Sequence, residues 1–224
     1  IFKEDLQAIA DSMAFISKDS LFKLFKAPIL WSDTSQFKGD SIYIQMKGGG
    51  IDKIYLYGNA FIVTTPDLRF FNQIKGKNIT AFFKNNELDR VKVVGNAEAV
   101  YYALDDVEAY LGATKTICSE MLILFDNQNV SRIKFFKQPS SEVLPMKQVL
   151  SGPPELDGFT WDFDIRPKSI ADLRDKTLVM KRGVSRGGNT TPNTPSPVSS
   201  EDMSSKYNSR GNAPAPKPSR GRNK

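Results

Sequence analysis

The sequence predicts an all-β domain of stacked hairpins, and three observations predict it. The segment 36–63, "QFKGDSIYIQMKGGGIDKIYLYGNAFIV", returns at 73–100 as "QIKGKNITAFFKNNELDRVKVVGNAEAV", a gapless shift of 37 residues. Within each copy the apolar residues alternate with a period of two, as in strands with one buried face. The turns "KGGGID", "KNNELD" and "DNQNVS" are rich in residues that tolerate positive φ, as tight hairpins require.

In chain order, the first unit begins near Gln7 and sets "ADSMAFIS" and "SLFKLFKAPIL" against the two halves of the repeat. It is shortened, and Pro28 stands where the other copies carry Gly-Asn-Ala, which predicts an irregular edge there. The second and third units, from Gln36 and Gln73, agree at Lys38-Gly39 with Lys75-Gly76, at Asp52 with Asp89, and at Gly58-Asn59-Ala60 with Gly95-Asn96-Ala97. A fourth copy, near residue 115, sets "SEMLILFDNQNVSRIKFF" against "KNITAFFKNNELDRVKVV". It lacks the Gly-Asn-Ala step and runs through "FFKQPSSEVLP", which predicts a copy that bends out of the stack or caps it. Periods of this length indicate units that lean on their neighbours.

Aligned, the first strands present Met13, Ile42, Ile79 and Met121, then Phe15, Ile44, Ala81 and Ile123, then Met46, Phe83 and Phe125. The second strands present Phe22, Ile54, Val91 and Ile133, then Leu24, Leu56, Val93 and Phe135. All are apolar, whereas intervening positions vary, as at Lys23, Tyr55, Lys92 and Lys134. Each large side chain contributes about 1.5–3 kcal/mol when buried, so this face suffices for a β core. A groove for an apolar ligand uses the same residue types. Pattern alone leaves both readings open; they differ in whether the inner face closes on itself.

"SGPPELDGFTWDFDIRP" (151–167) is too rich in proline to continue the hairpins, but Phe159, Trp161 and Phe163 alternate, predicting a last short strand or a clasp packed on the sheet. "KSIADLRDKTLVM" (168–180) predicts a short helix. Beyond Lys181 few apolar residues remain, predicting a disordered tail. Three domains follow: 1–150 hairpin repeats, 151–180 closing segment, 181–224 basic tail.

Charge and composition narrow the chemistry. Of a net charge of +6, the tail carries +7, leaving the rest at −1, so the body shows no basic excess for nucleic acid. Histidine is absent, which excludes His-dependent triads and His-containing zinc sites. The single Cys118 forms no intrachain disulfide. Asp105, Asp106 and Glu108 read as a solvated turn, and three Asn-x-Ser/Thr triplets are assigned no role. The start at Ile1 reads as a fragment or processed form, so the missing signal segment says nothing of compartment. No enzyme, metal or cofactor is predicted.

The serial "G-D/K-x-I/M-x-I/A" entry, the polar turn, the "I/L-D-K/R-I/V" return and the "GNA" step resemble the OstA-like, LptA-type lipopolysaccharide transport family. "LDGFTWDFDIRP" and "APILWSDTSQFKGDSI" most resemble the OstA-like proteins of Bacteroidota. The resemblance covers about residues 5 to 170. It implies an open, twisted β-jellyroll whose inner face contacts lipid acyl chains, with Ile42, Ile44, Ile54, Leu56, Ile79, Ala81, Phe83, Val91 and Val93 lining the groove. It further implies a periplasmic location at the cell envelope, lipopolysaccharide (lipid A) as cargo carried toward the outer membrane, and edge-strand pairing with other jellyroll proteins of the pathway or with itself. No specific nucleic acid is expected. The alternative is an envelope scaffold with a self-filled core that acts through its edges and tail.

Overall fold

The computed structural model describes residues 1–3, 5–85, 87–105, 109–126 and 129–174. Asp106, Glu108, residues 175–180 of the helix expected over 168–180 and the whole basic tail lie outside the described residues; the described part of that segment holds a single 3-10 turn, Asp172–Arg174. Thirteen strands form one antiparallel sheet: β1 (Phe2–Lys3), β2 (Leu6–Ile9), β3 (Ser12–Ile16), β4 (Leu21–Phe25), β5 (Ile29–Ser32), β6 (Ser35–Lys38), β7 (Ser41–Lys47), β8 (Gly50–Thr64), β9 (Asn72–Lys84), β10 (Glu87–Leu104), β11 (Tyr110–Asp126), β12 (Asn129–Phe136) and β13 (Ser140–Pro145). One short helix, α1 (Met146–Ser151), follows.

The four long strands β8 to β11 each belong to two layers. The first half of β8 pairs with β7 and the second half with β6; in β11, which runs the other way, the first half pairs with β13 and the second half with β12. A front layer thus runs β3-β4-β7-β8-β9-β10-β11-β12, and a back layer runs β1-β2-β5-β6-β8-β9-β10-β11-β13. The sheet is open, with β3 and β1 at one end and β12 and β13 at the other.

What folds one sheet into two layers is a corner repeated in every unit. At Gly58-Asn59 and Gly95-Asn96 two successive residues take positive φ (65° and 46°; 83° and 48°), and the strand register shifts across each pair. Glycine is favoured at the first position because the backbone is left-handed there. At Gly58 a Cβ would also lie 2.1 Å from Asp40 Oδ2, part of the carboxylate that accepts the Asn59 amide N–H.

The corner persists where the motif is missing. Lys26-Ala27 (63°, 52°) and Lys137-Gln138 (61°, 57°) adopt the same conformation. This corrects two expectations. Pro28 follows an ordinary corner rather than marking an irregular edge, and β5 behind it is fully laddered between β2 and β6. The fourth copy neither bends out of the stack nor caps it: β12 and β13 extend the front and back layers through pairing with β11.

The core lies between the layers. Leu24, Ile42, Ile54 and Val91 from the front pack with Leu30, Phe37, Ile62 and Ala97 from the back. The outer face of the back layer is covered by residues 154–166, which run across the strands as a strap rather than a ladder strand. Gln73 donates to Pro154 O and accepts the Leu156 N–H; Gln36 donates to Thr160 O and accepts the Asp162 N–H. Arg166 donates to Gln7 Oε1. These are the three glutamines that open the repeats, and on the back layer they stand on every second strand.

Candidate functional site: the cleft between the layers

The two apolar positions read from the aligned units become two continuous rows. Met13, Leu24, Ile42, Leu56, Ile79, Val93, Met121 and Phe135 are successive cross-strand partners over eight strands. Phe15, Phe22, Ile44, Ile54, Ala81, Val91, Ile123 and Ile133 form the row beside them. At the strand spacing of 4.7–4.9 Å each row is about 34 Å long.

Exposure along the rows is uneven. Ile42, Ile44, Ile54, Leu56, Ala81, Val91 and Val93 have no exposed surface and Ile79 has 1%. Eight of the nine residues expected to line a groove are therefore closed over by the back layer; Phe83 alone stands at an opening. The row ends behave differently. Met13 and Phe15 are 55% and 51% exposed on edge strand β3, and Phe15 stacks on Phe22. At the far end Ile133 and Phe135 on β12 are half-buried and pack against the core.

A cavity of about 310 Å³ opens between the layers at the hairpin tips, away from the corners. Its front wall is apolar: Phe83, Leu88, Phe125 and Val130, with Phe37 reaching across to Phe83 at 6.5 Å between ring centres. Its back wall is mixed: hydroxyls and an amide from Ser32, Ser35, Thr64, Thr65 and Asn72, beside Phe70, Tyr102 and Leu104. Asp33 and Glu87 are its charged lining residues, and neither Lys nor Arg lines it. Sequence periodicity marked Phe83 and Phe125; Ser32, Ser35 and Thr64 were not singled out, because none of them sits in the alternating apolar pattern that was aligned.

At the rim, the Tyr110 hydroxyl donates to Asp67 Oδ2 at 2.9 Å, and Phe70 packs edge-on against Tyr110. Burial, and then this hydrogen bond, raise the Tyr110 pKa well above the ordinary phenol range. Burial, with a smaller push from Glu155, takes Tyr102 to about 12. Both phenols are neutral donors at neutral pH. Cys118 is buried, and burial raises its thiol pKa. Among the described residues no group of three or more His, Cys, Asp or Glu side chains could hold a metal ion, and no helix is long and apolar enough to cross a membrane. What the cleft offers is apolar surface, hydroxyls and amides, with two carboxylates, Asp33 and Glu87.

No family model matches the chain, and no curated protein does. Among solved structures the chain is similar to the crystal structure of LptH, the LptA homologous periplasmic component of the conserved lipopolysaccharide transport device from Pseudomonas aeruginosa. Identity is 14%, 59% of this chain and 94% of that chain are covered, and the TM-score is 0.45.

Proposed function

We propose that this chain is a non-enzymatic lipid-binding module of the cell envelope that takes acyl chains between its two layers and passes lipopolysaccharide along them toward the outer membrane. The observation that supports this reading most is the pair of unbroken apolar rows that reach the surface at the Met13 and Phe15 end while a half-apolar, half-hydroxylic cavity opens along their side. A core that served folding alone would be favoured by polar closure at its ends. Here large apolar side chains are left in water, each at a cost of about 1–2 kcal/mol.

In this reading an acyl chain enters at Phe83, Leu88 and Phe125, and the head contacts Ser32, Ser35 and Thr64. The cavity is at the lower end of small-molecule sites, with room for part of one chain. Deeper loading parts the layers and replaces side-chain contacts by acyl contacts of similar energy, about 0.8 kcal/mol per methylene, so a lipid moves without a deep trap. The reading places the protein in the periplasm. The open edges at β1, β3, β12 and β13 are the places where further jellyroll modules, or a second copy, would pair.

The scaffold reading has its own observation: Ile42, Ile44, Ile54 and Leu56 are sealed. Binding of purified lipopolysaccharide to the full chain separates the two. Phe83→Asp and Met13→Asp, both at openings, are expected to abolish binding and leave the fold intact, with Lys147→Asp as the outward control. Unchanged binding in both cleft variants would favour the scaffold.

A further inference from the structure

The outer face of the front layer is bare. No described segment crosses it, in contrast to the strap-covered back layer, and it carries a repeated pattern of cations and rings. Lys53, Arg90 and Arg132 lie in one cross-strand row on β8, β10 and β12, with Phe82 between the first two on β9 and Leu124 between the last two on β11. In the next row Lys92 and Lys134 stand on the same alternate strands, and Lys23, Tyr43 and Tyr55 continue it across β4, β7 and β8. A third row exposes Tyr57, Val94 and Phe136 at 40%, 39% and 45%.

The spacing follows from the repeat. Each unit contributes one outgoing and one returning strand, and cations sit on the returning strand, so from β8 to β12 positive charges recur every second strand, about 9.6 Å. Asp52 and Asp89 pair with Lys53 and Arg90 at 3.4 and 2.9 Å. Glu120 is held by Lys137, with a smaller pull from Lys92. Among the described residues Lys23, Arg132 and Lys134 form no ion pair, and Lys23 lies over the Tyr43 ring at 4.9 Å. The face therefore keeps a net positive charge in a body that is close to neutral.

We propose that this face binds an extended anionic glycan laid across the strands, with carboxylate or phosphate groups on the cation ladder and sugar rings against the tyrosines. The charge calls for an anion, and the two-strand interval has the scale of a disaccharide in an extended chain. The rings favour sugar over nucleic acid. Tyr43 meets Tyr57 and Phe25 edge-on, at 5.1 and 6.0 Å, and carries Lys23 over one face, while Tyr55 and Tyr57 lie parallel with ring centres 6.3 Å apart; the hydroxyls of this row both donate and accept hydrogen bonds, which suits the hydroxyl-rich edge of a sugar. The sequence marked Tyr55, Lys92 and Lys134 only as variable positions. The near-neutral charge of the body as a whole hid the gathering of cations on this one face.

The test measures binding of a polyuronate oligosaccharide to the full chain, with a neutral glucan of equal length and single-stranded oligo(dT) as comparison ligands. The quadruple variant Arg90→Gln, Lys92→Gln, Arg132→Gln, Lys134→Gln changes only exposed side chains and keeps the basic tail. It is expected to weaken polyuronate binding roughly thirtyfold, the product of four exposed contacts of a little over twofold each. Tyr55→Ser with Tyr57→Ser leaves the charge unchanged and is expected to weaken binding roughly fivefold. Polyuronate binding within threefold of the parent in the quadruple variant would overturn the proposal. So would oligo(dT) binding that is tighter than polyuronate and lost with the same substitutions.

Discussion

Gln36→Ala tests how the strap is held. Gln36 has no exposed surface, and its amide serves three partners: the Trp31 indole N–H (3.1 Å) and the Asp162 N–H (2.8 Å) on Oε1, and the Thr160 carbonyl (2.8 Å) from Nε2. Truncation strands the buried indole N–H and frees the two strap groups. At about 1 kcal/mol per neutral hydrogen bond the loss is about 3 kcal/mol, less what water returns to the partly exposed strap. The chain has two tryptophans, one under Gln36 and one, Trp161, in the strap against Phe71. Tryptophan emission followed in urea therefore reports strap docking, while far-UV circular dichroism reports the sheet. The variant is expected to lose the tryptophan signal at lower urea than the sheet signal, whereas the parent loses both together. An unchanged midpoint, within about 0.5 kcal/mol, and coincident transitions would refute the assignment of the repeated glutamines as strap brackets.

Gln138→Gly removes a side chain from a φ of 57° and is expected to stabilise by about 0.5–1 kcal/mol in urea unfolding, the relief of left-handed strain less the added freedom of the unfolded chain. Cys118, buried with a raised thiol pKa, is expected to react with a thiol reagent at neutral pH only as the protein unfolds; prompt labelling of the native protein would contradict its placement. Because the Tyr110 pKa is raised on folding, its contribution to stability is intact below pH 10 and is lost as the pH climbs toward the folded-state value. The stability gap between the parent and Tyr110→Phe should therefore narrow above pH 10, and a gap constant through alkaline pH would contradict the Asp67 contact.

The two apolar rows were legible because a hairpin repeat with period two sets equivalent residues opposite one another, so aligning the copies was equivalent to reading the ladder. The Gly-Asn-Ala step stood out at Gly58 and Gly95 as a repeated match, without a corner being read from it, and Lys26-Ala27-Pro28 and Lys137-Gln138-Pro139 take the same conformation without a glycine to mark it. The shared Lys-x-Pro in the slot of Gly-Asn-Ala was the signal available. Gln7, Gln36 and Gln73 stood out as matches, but their partners lie between 80 and 160 residues away in the strap, and no local pattern carries that information. The closure of the inner face also came only from the structure. Whether Ile44 and Val93 meet solvent depends on the back layer, and both are sealed. Polar substitution at either is therefore expected to cost several kcal/mol of stability, which moves any test of lipid contact to the openings.

The most direct measurement places a photo-crosslinking residue at Met13, at Phe83 and, as the outward control, at Lys147, and probes for covalently captured lipopolysaccharide in intact cells. The account predicts capture at Met13 and Phe83 and none at Lys147. Absence of lipid at both cleft positions in a folded protein, or equal capture at Lys147, would contradict it.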